Sequence, residues 1–167
     1  MKNILLILCF TPLLLTSCFR DGDDDFAIVG VWQLSAMNVE DGFDINNDGT
    51  ISSNLLNEID CINNETLVFE SNGVVTSNST FNPHIKIALL DGASDEYIFN
   101  VVCDEEGVIS FATTYAYNSK VVVINESIAT FANNQLSRVF EDAIQIYNED
   151  FTEVVTTKDL TLVYTKQ

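Results

Sequence analysis

Positive charge is what this sequence has least of. Seven Lys and Arg stand against 25 Asp and Glu, a formal net charge of -18 over 167 residues. Affinity for a phosphate backbone comes mostly from Lys and Arg, and no basic cluster occurs, so no nucleic-acid partner is expected. There is a single His, His84, next to Pro83 in a turn-like context and far from either internal Cys. That leaves no nucleophile and base to pair, and Asp104-Glu105-Glu106 reads as a solvated turn rather than an acid/base pair. No catalytic residue is assigned, and an enzyme is not expected. No apolar run reaches the roughly 20 residues that a bilayer-spanning helix needs. The acidity is not the mark of a disordered chain, because 47% of the residues are hydrophobic and one domain with a true core follows.

The first eighteen residues state an address. Lys2 precedes an apolar run from Ile4 to Leu15, which closes on Leu15-Thr16-Ser17-Cys18. The run is too short to span a membrane and fits an export signal over residues 1–17. Its end resembles a bacterial lipobox, in which Cys18 receives lipid before cleavage. Lipid on Cys18 would anchor a soluble domain without any spanning helix. Residues 18–26 form an acidic tether with four Asp behind the lipid position. Such clusters resemble the surface-export signals of Bacteroidota lipoproteins, so the expected location is the outer membrane, on its periplasmic face or at the cell surface.

Cysteine accounting follows from that address. Cys9 leaves with the signal and Cys18 carries lipid, so Cys61 and Cys103 remain. In an oxidising compartment they are expected to form a disulfide. For a loop of that length the chain-entropy stabilisation is on the order of 4 kcal/mol.

Residues 27–167 read as many short β segments separated by turn signals, the pattern of an all-β antiparallel sandwich or barrel. Asn72-Gly73 is the strongest hairpin signal, Asp91-Gly92 a second, and Asn133-Asn134 and Asp104 to Gly107 are further turns. Alternation places Leu160, Leu162 and Tyr164 on one face, Tyr97, Phe99 and Val101 on another, and Phe111, Thr113, Tyr115 and Tyr117 on a third. Leu136 to Tyr147 fits either strand or one short helix lying across a barrel mouth.

Ile28-Val29-Gly30-Val31-Trp32 near the start and Leu160 to Lys166 at the end resemble the lipocalin-like domains of Bacteroidota lipoproteins. The resemblance implies an up-and-down β-barrel of about eight strands. It places Gly30 and Trp32 at the barrel signature, with the Trp across the closed end, and gives the interior room for a small apolar or amphipathic ligand.

One motif carries chemistry of its own. Asp44-Ile45-Asn46-Asn47-Asp48-Gly49-Thr50-Ile51-Ser52 matches the first nine positions of a calcium loop. Asp44, Asn46 and Asp48 supply alternate side chains, the Thr50 carbonyl adds an oxygen, and Ile51 is expected to turn inward as an anchor. Leu55 stands where a bidentate acid belongs, so Glu58 or Asp60 must supply the missing carboxylate, Glu58 being the one assigned. The expected function is a membrane-anchored binding lipoprotein with a calcium-stabilised loop. The alternative is a cell-surface interaction or structural module with a filled barrel.

Overall fold

The computed structural model describes residues 27–103 and 110–167. The signal at 1–17, the lipid position Cys18, the tether at 18–26 and the turn from Asp104 to Gly107 lie outside the described residues. Among the described residues no helix is long and apolar enough to cross a membrane, and the regular structure is eleven strands with one short 3-10 turn.

The strands are β1 (Gly30–Phe43), β2 (Ser52–Asn54), β3 (Thr66–Phe69), β4 (Val74–Ser77), β5 (His84–Leu89), β6 (Tyr97–Val102), β7 (Phe111–Asn118), β8 (Val121–Ile124), β9 (Ser127–Ala132), β10 (Gln135–Tyr147) and β11 (Val154–Lys166). Eight of them close a ring. β1, β3, β4, β7, β8, β9, β10 and β11 follow one another antiparallel, and β11 pairs with both β10 and β1. Neighbours in the ring are neighbours in the chain, apart from the insertions of β2 and of the β5–β6 hairpin. The barrel is therefore of the up-and-down kind.

Tight turns close this ring because their residues accept left-handed backbone. Asn133 and Asn134 (φ 52 and 58) join β9 to β10, and Asn125 and Glu126 (φ 44 and 71) join β8 to β9. Positive φ at both central residues gives a turn whose twist matches that of the strands it joins. At Asn72-Gly73 the Gly73 N–H donates to the Glu70 carbonyl (3.2 Å) and the Asn72 side chain accepts from Val74 N–H (2.9 Å). Strand interiors alternate as the pleat requires: Leu67 and Phe69 on β3 are buried, as are Val75 on β4 and Val122 and Ile124 on β8.

Three of the barrel strands outgrow the barrel. β1 runs 14 residues and β10 and β11 13 each, and their far halves leave the ring and continue the sheet with β2, β5 and β6, a region called here the annex. Register shifts mark the departure. On β1 the shift between Leu34 and Ala36 moves the buried face from Trp32 and Leu34 to Met37 and Val39, as an extra residue in a ladder must. On β10 the shift falls between Phe140 and Ile144, with Asp142 left-handed (φ 54) and its N–H taken by Asp159 Oδ1 at 2.9 Å. Beyond it, β10 pairs in parallel with β5 through Ile146 and Ile87. The annex adds its own apolar packing, with Phe43 edge-on to Tyr97 and Phe99 at 5.2 and 5.8 Å between ring centres.

Leu136 to Tyr147 lies within one strand, β10. The helical option fails because β10 pairs with β11 from end to end apart from one bulge, with β9 at its start and with β5 at its finish.

Candidate functional site

The closed end of the barrel is built around Trp32. Its ring is fully buried, meets Phe69 and Phe131 edge-on (6.4 and 5.6 Å) and donates Nε1–H to the Ile28 carbonyl at 2.7 Å. Lys166, the last residue of β11, lies over the same ring at 5.8 Å and donates to the Ala27 carbonyl at 2.8 Å. Gly30 has φ +134, and a Cβ there would stand 3.0 Å from the Lys166 Cε. The Gly30-x-Trp32 signature and the terminal Lys166 thus form one plug, in which the glycine leaves room for the lysine stem.

The loop after β1 folds around its own side chains. Asp44 accepts the N–H groups of Asp48 and Gly49, both at 3.0 Å. Asn46 Oδ1 accepts Asp48 N–H at 2.9 Å, and Asp48 Oδ1 accepts Thr50 N–H at 2.8 Å. These bonds draw Asp44, Asn46 and Asp48 onto one side of the loop. Gly49 is left-handed there (φ +85), as the motif's sharp turn demands.

Glu58 is buried at 5% exposure and accepts Ile45 N–H at 3.0 Å and Asn46 N–H at 3.5 Å through Oε2. Its carboxylate clasps the loop entrance, having returned through the 3-10 turn Leu55–Asn57. Among the described residues no three His, Cys, Asp or Glu side chains form a metal-holding group. The loop's side-chain oxygens are those of Asp44, Asn46 and Asp48, all engaged with loop N–H groups, and Glu58 holds the backbone at the loop entrance. Ile51 is 69% exposed, whereas Ile45 is buried at 7%. The anchor is therefore Ile45 and not Ile51, because the chain enters the loop from the core side at Phe43 and leaves it through the short edge strand β2. At the turn into this loop Gly42 is obligatory, since a Cβ would meet the Ser52 carbonyl oxygen at 2.5 Å.

Cys61 and Cys103 form the expected disulfide, with Cα atoms 5.5 Å apart. It ties the segment after the 3-10 turn to the end of β6 and so binds the two insertions of the annex to each other.

Inside the barrel lies a polar group that was not anticipated from sequence. Glu65 is 4% exposed. It accepts Phe81 N–H at 2.8 Å on Oε2 and the Tyr164 hydroxyl on Oε1. Burial lifts its carboxyl above the usual carboxylate range, against the pull of those two donors and of Arg138. Burial and the Glu65 charge push the Tyr164 hydroxyl well above the ordinary tyrosine range. Arg138 shares the inward face of β10 with Leu136, lies over the Phe140 ring at 5.0 Å and donates from Nη2 to Ser127 Oγ at 3.3 Å. Its Nε is buried without a hydrogen-bond partner among the described residues, as are Ser77 Oγ and Thr80 Oγ1.

Alternation was the signal that could have found these groups. Glu65 keeps phase with Leu67 and Phe69, Ser77 with Val75, and Arg138 with Leu136.

Comparisons with protein-family models, with curated proteins and with solved structures found no match.

Proposed function

We propose that this protein is a lipoprotein of the outer membrane, anchored through lipid on Cys18, whose lipocalin-like barrel holds a small apolar or amphipathic molecule. One observation carries the binding reading. The inward residues of β7, Phe111 to Tyr117, are only half-buried, while the inward residues of β3 and β8 are fully enclosed. A barrel plugged at one end with an inner wall left partly uncovered is the form in which such folds take a ligand. A fluorescent apolar probe such as 1-N-phenylnaphthylamine should brighten with the protein and be displaced by unlabelled amphiphiles. A flat titration would defeat the reading.

A second reading, an interaction or structural module with a filled barrel, draws on the plug itself, where Trp32, Phe69, Leu67 and Tyr164 are fully buried side chains. Anchoring has a separate test. Labelled palmitate should enter the protein in a bacterial host and fail to enter Cys18→Ala. Protease added to intact cells then separates the surface from the periplasmic face.

Calcium is proposed for the Asp44, Asn46, Asp48 and Thr50 loop beside Glu58. Its support is the spacing of the motif together with the way its side chains already gather on one side. A cation there would offset repulsion between Asp44 and Asp48 and stabilise the domain.

A further inference from the structure

Three buried polar atoms have no partner among the described residues: Arg138 Nε on β10, Ser77 Oγ at the end of β4 and Thr80 Oγ1 just beyond it. They belong to one neighbourhood. Ser77 ends β4 beside β3, the strand that Glu65 precedes, and Thr80 adjoins Phe81, whose N–H reaches Glu65. Glu65 in turn holds Tyr164, and the Arg138 charge acts on both. Buried polar groups are almost always satisfied, by protein or by bound water, so several open ones together mark a place suited to water or to the polar head of a guest.

The sign of that something follows from Arg138. No described carboxylate lies within ion-pair distance of its guanidinium, the one described ion pair being Lys158 with Asp41. Arg138 is half-buried and feels the Glu65 charge only at a distance, so its enclosed Nε lacks a direct partner. The guanidinium also bonds the Tyr164 hydroxyl, but its open Nε stands next to Nη2, which holds Ser127 at a long 3.3 Å, and these two donors form the side-on fork that fits a carboxylate. Ser77 and Thr80 add two further open hydroxyls on the Glu65 side of the interior. Below this level the inner wall becomes aromatic and aliphatic, through Val75, Phe69, Phe131 and Trp32.

We propose that the barrel recognises a carboxylate-bearing amphipathic molecule, with its carboxylate on Arg138 and its tail toward the apolar inner wall. The inference rests on the binding reading above and names the ligand class for that same interior. At physiological salt the chain's overall negative charge is largely screened beyond about 8 Å, so recognition falls to these short-range donors.

Decanoate and decanol, titrated calorimetrically against the purified protein and against Arg138→Met and Arg138→Lys, separate the possibilities. The expected result is at least a tenfold preference for decanoate, lost in Arg138→Met and reduced in Arg138→Lys, with decanol affinity unchanged in all three. Equal binding of acid and alcohol by the unaltered protein, or a preference that survives in Arg138→Met, overturns the carboxylate assignment while leaving the binding reading intact. Binding of neither compound overturns both. Unchanged decanol binding also shows that the variants are folded.

Discussion

The barrel and the annex are joined by the same strands and differ most in charge. Glu65, Glu70 and Glu126 are the barrel's described acidic residues, and Lys120, Arg138 and Lys166 match them in number. Every other described acidic residue lies in the annex, its loops or the turns where β10 and β11 leave the ring, against Lys86 and Lys158 alone. The outward positions of β7 to β9, among them Thr114, Ala116, Val123, Ile128 and Thr130, are uncharged. The difference shows how one sheet serves two purposes. The neutral barrel is held by burial, whereas the acidic annex must offset its own repulsion and does so with covalent and polar ties: the disulfide, the Glu58 clasp, and Lys158 on Asp41 at 2.9 Å.

Changes in each region should break it differently. Trp32→Ala should have the largest effect, about 3–5 kcal/mol of global stability, since it empties the plug beneath Phe69 and Phe131; chemical denaturation measures it. Removing the disulfide by Cys61→Ser with Cys103→Ser should cost about 2–4 kcal/mol. In hydrogen exchange that loss should appear first in β5 and β6, with β3, β4 and β8 still protected. Uniform loss of protection would dissolve the distinction between the regions. Tyr164→Phe should cost about 1.5–3 kcal/mol by leaving Glu65 with one donor fewer.

Glu58→Gln should cost roughly 1–3 kcal/mol, confined to the loop and annex. If calcium binds there, an excess of a hundred times its Kd should add about 2.7 kcal/mol to the unaltered protein; coincident thermal midpoints with calcium and with chelator would show that the loop needs no metal.

A pH series sharpens the contrast further. Glu65 has its folded pKa raised above the unfolded value, so its contribution is fully present below that value, near 4.5, and is lost as pH rises through the folded pKa. Glu65→Gln should flatten this dependence. Tyr164 acts in the same sense at the alkaline end, where unfolding releases a proton that the fold retains. Stability should therefore fall once the pH passes the ordinary tyrosine value near 10, and Tyr164→Phe should remove that fall.

The same division explains what was legible from sequence. Barrel strands such as β11 keep a single face toward the core, so the alternation of Leu160, Leu162 and Tyr164 places them correctly, and turn residues such as Asn133-Asn134 mark their ends. The annex resisted because β1 and β10 change face at irregular registers. Beyond Leu34 the buried set switches from even to odd positions, and a periodicity carried through it misassigns every later residue. β2 was too short to register as a strand. Ile51 was expected inside because the motif usually buries that position, but here the loop hangs from Ile45 and Phe43. Arg138 and Glu65 keep strand phase, but a charged residue in phase with a core face is not a burial signal by itself; only the closed barrel shows Glu65 buried and Arg138 turned inward.

Native mass spectrometry of the protein purified from its own host tests most directly whether this barrel is a container. The account predicts a retained, dissociable adduct with the mass of an amphipathic carboxylate, released on mild activation while any lipid covalently held at Cys18 stays attached. A protein that carries no dissociable adduct, and takes up none when incubated with fatty acids, would contradict it.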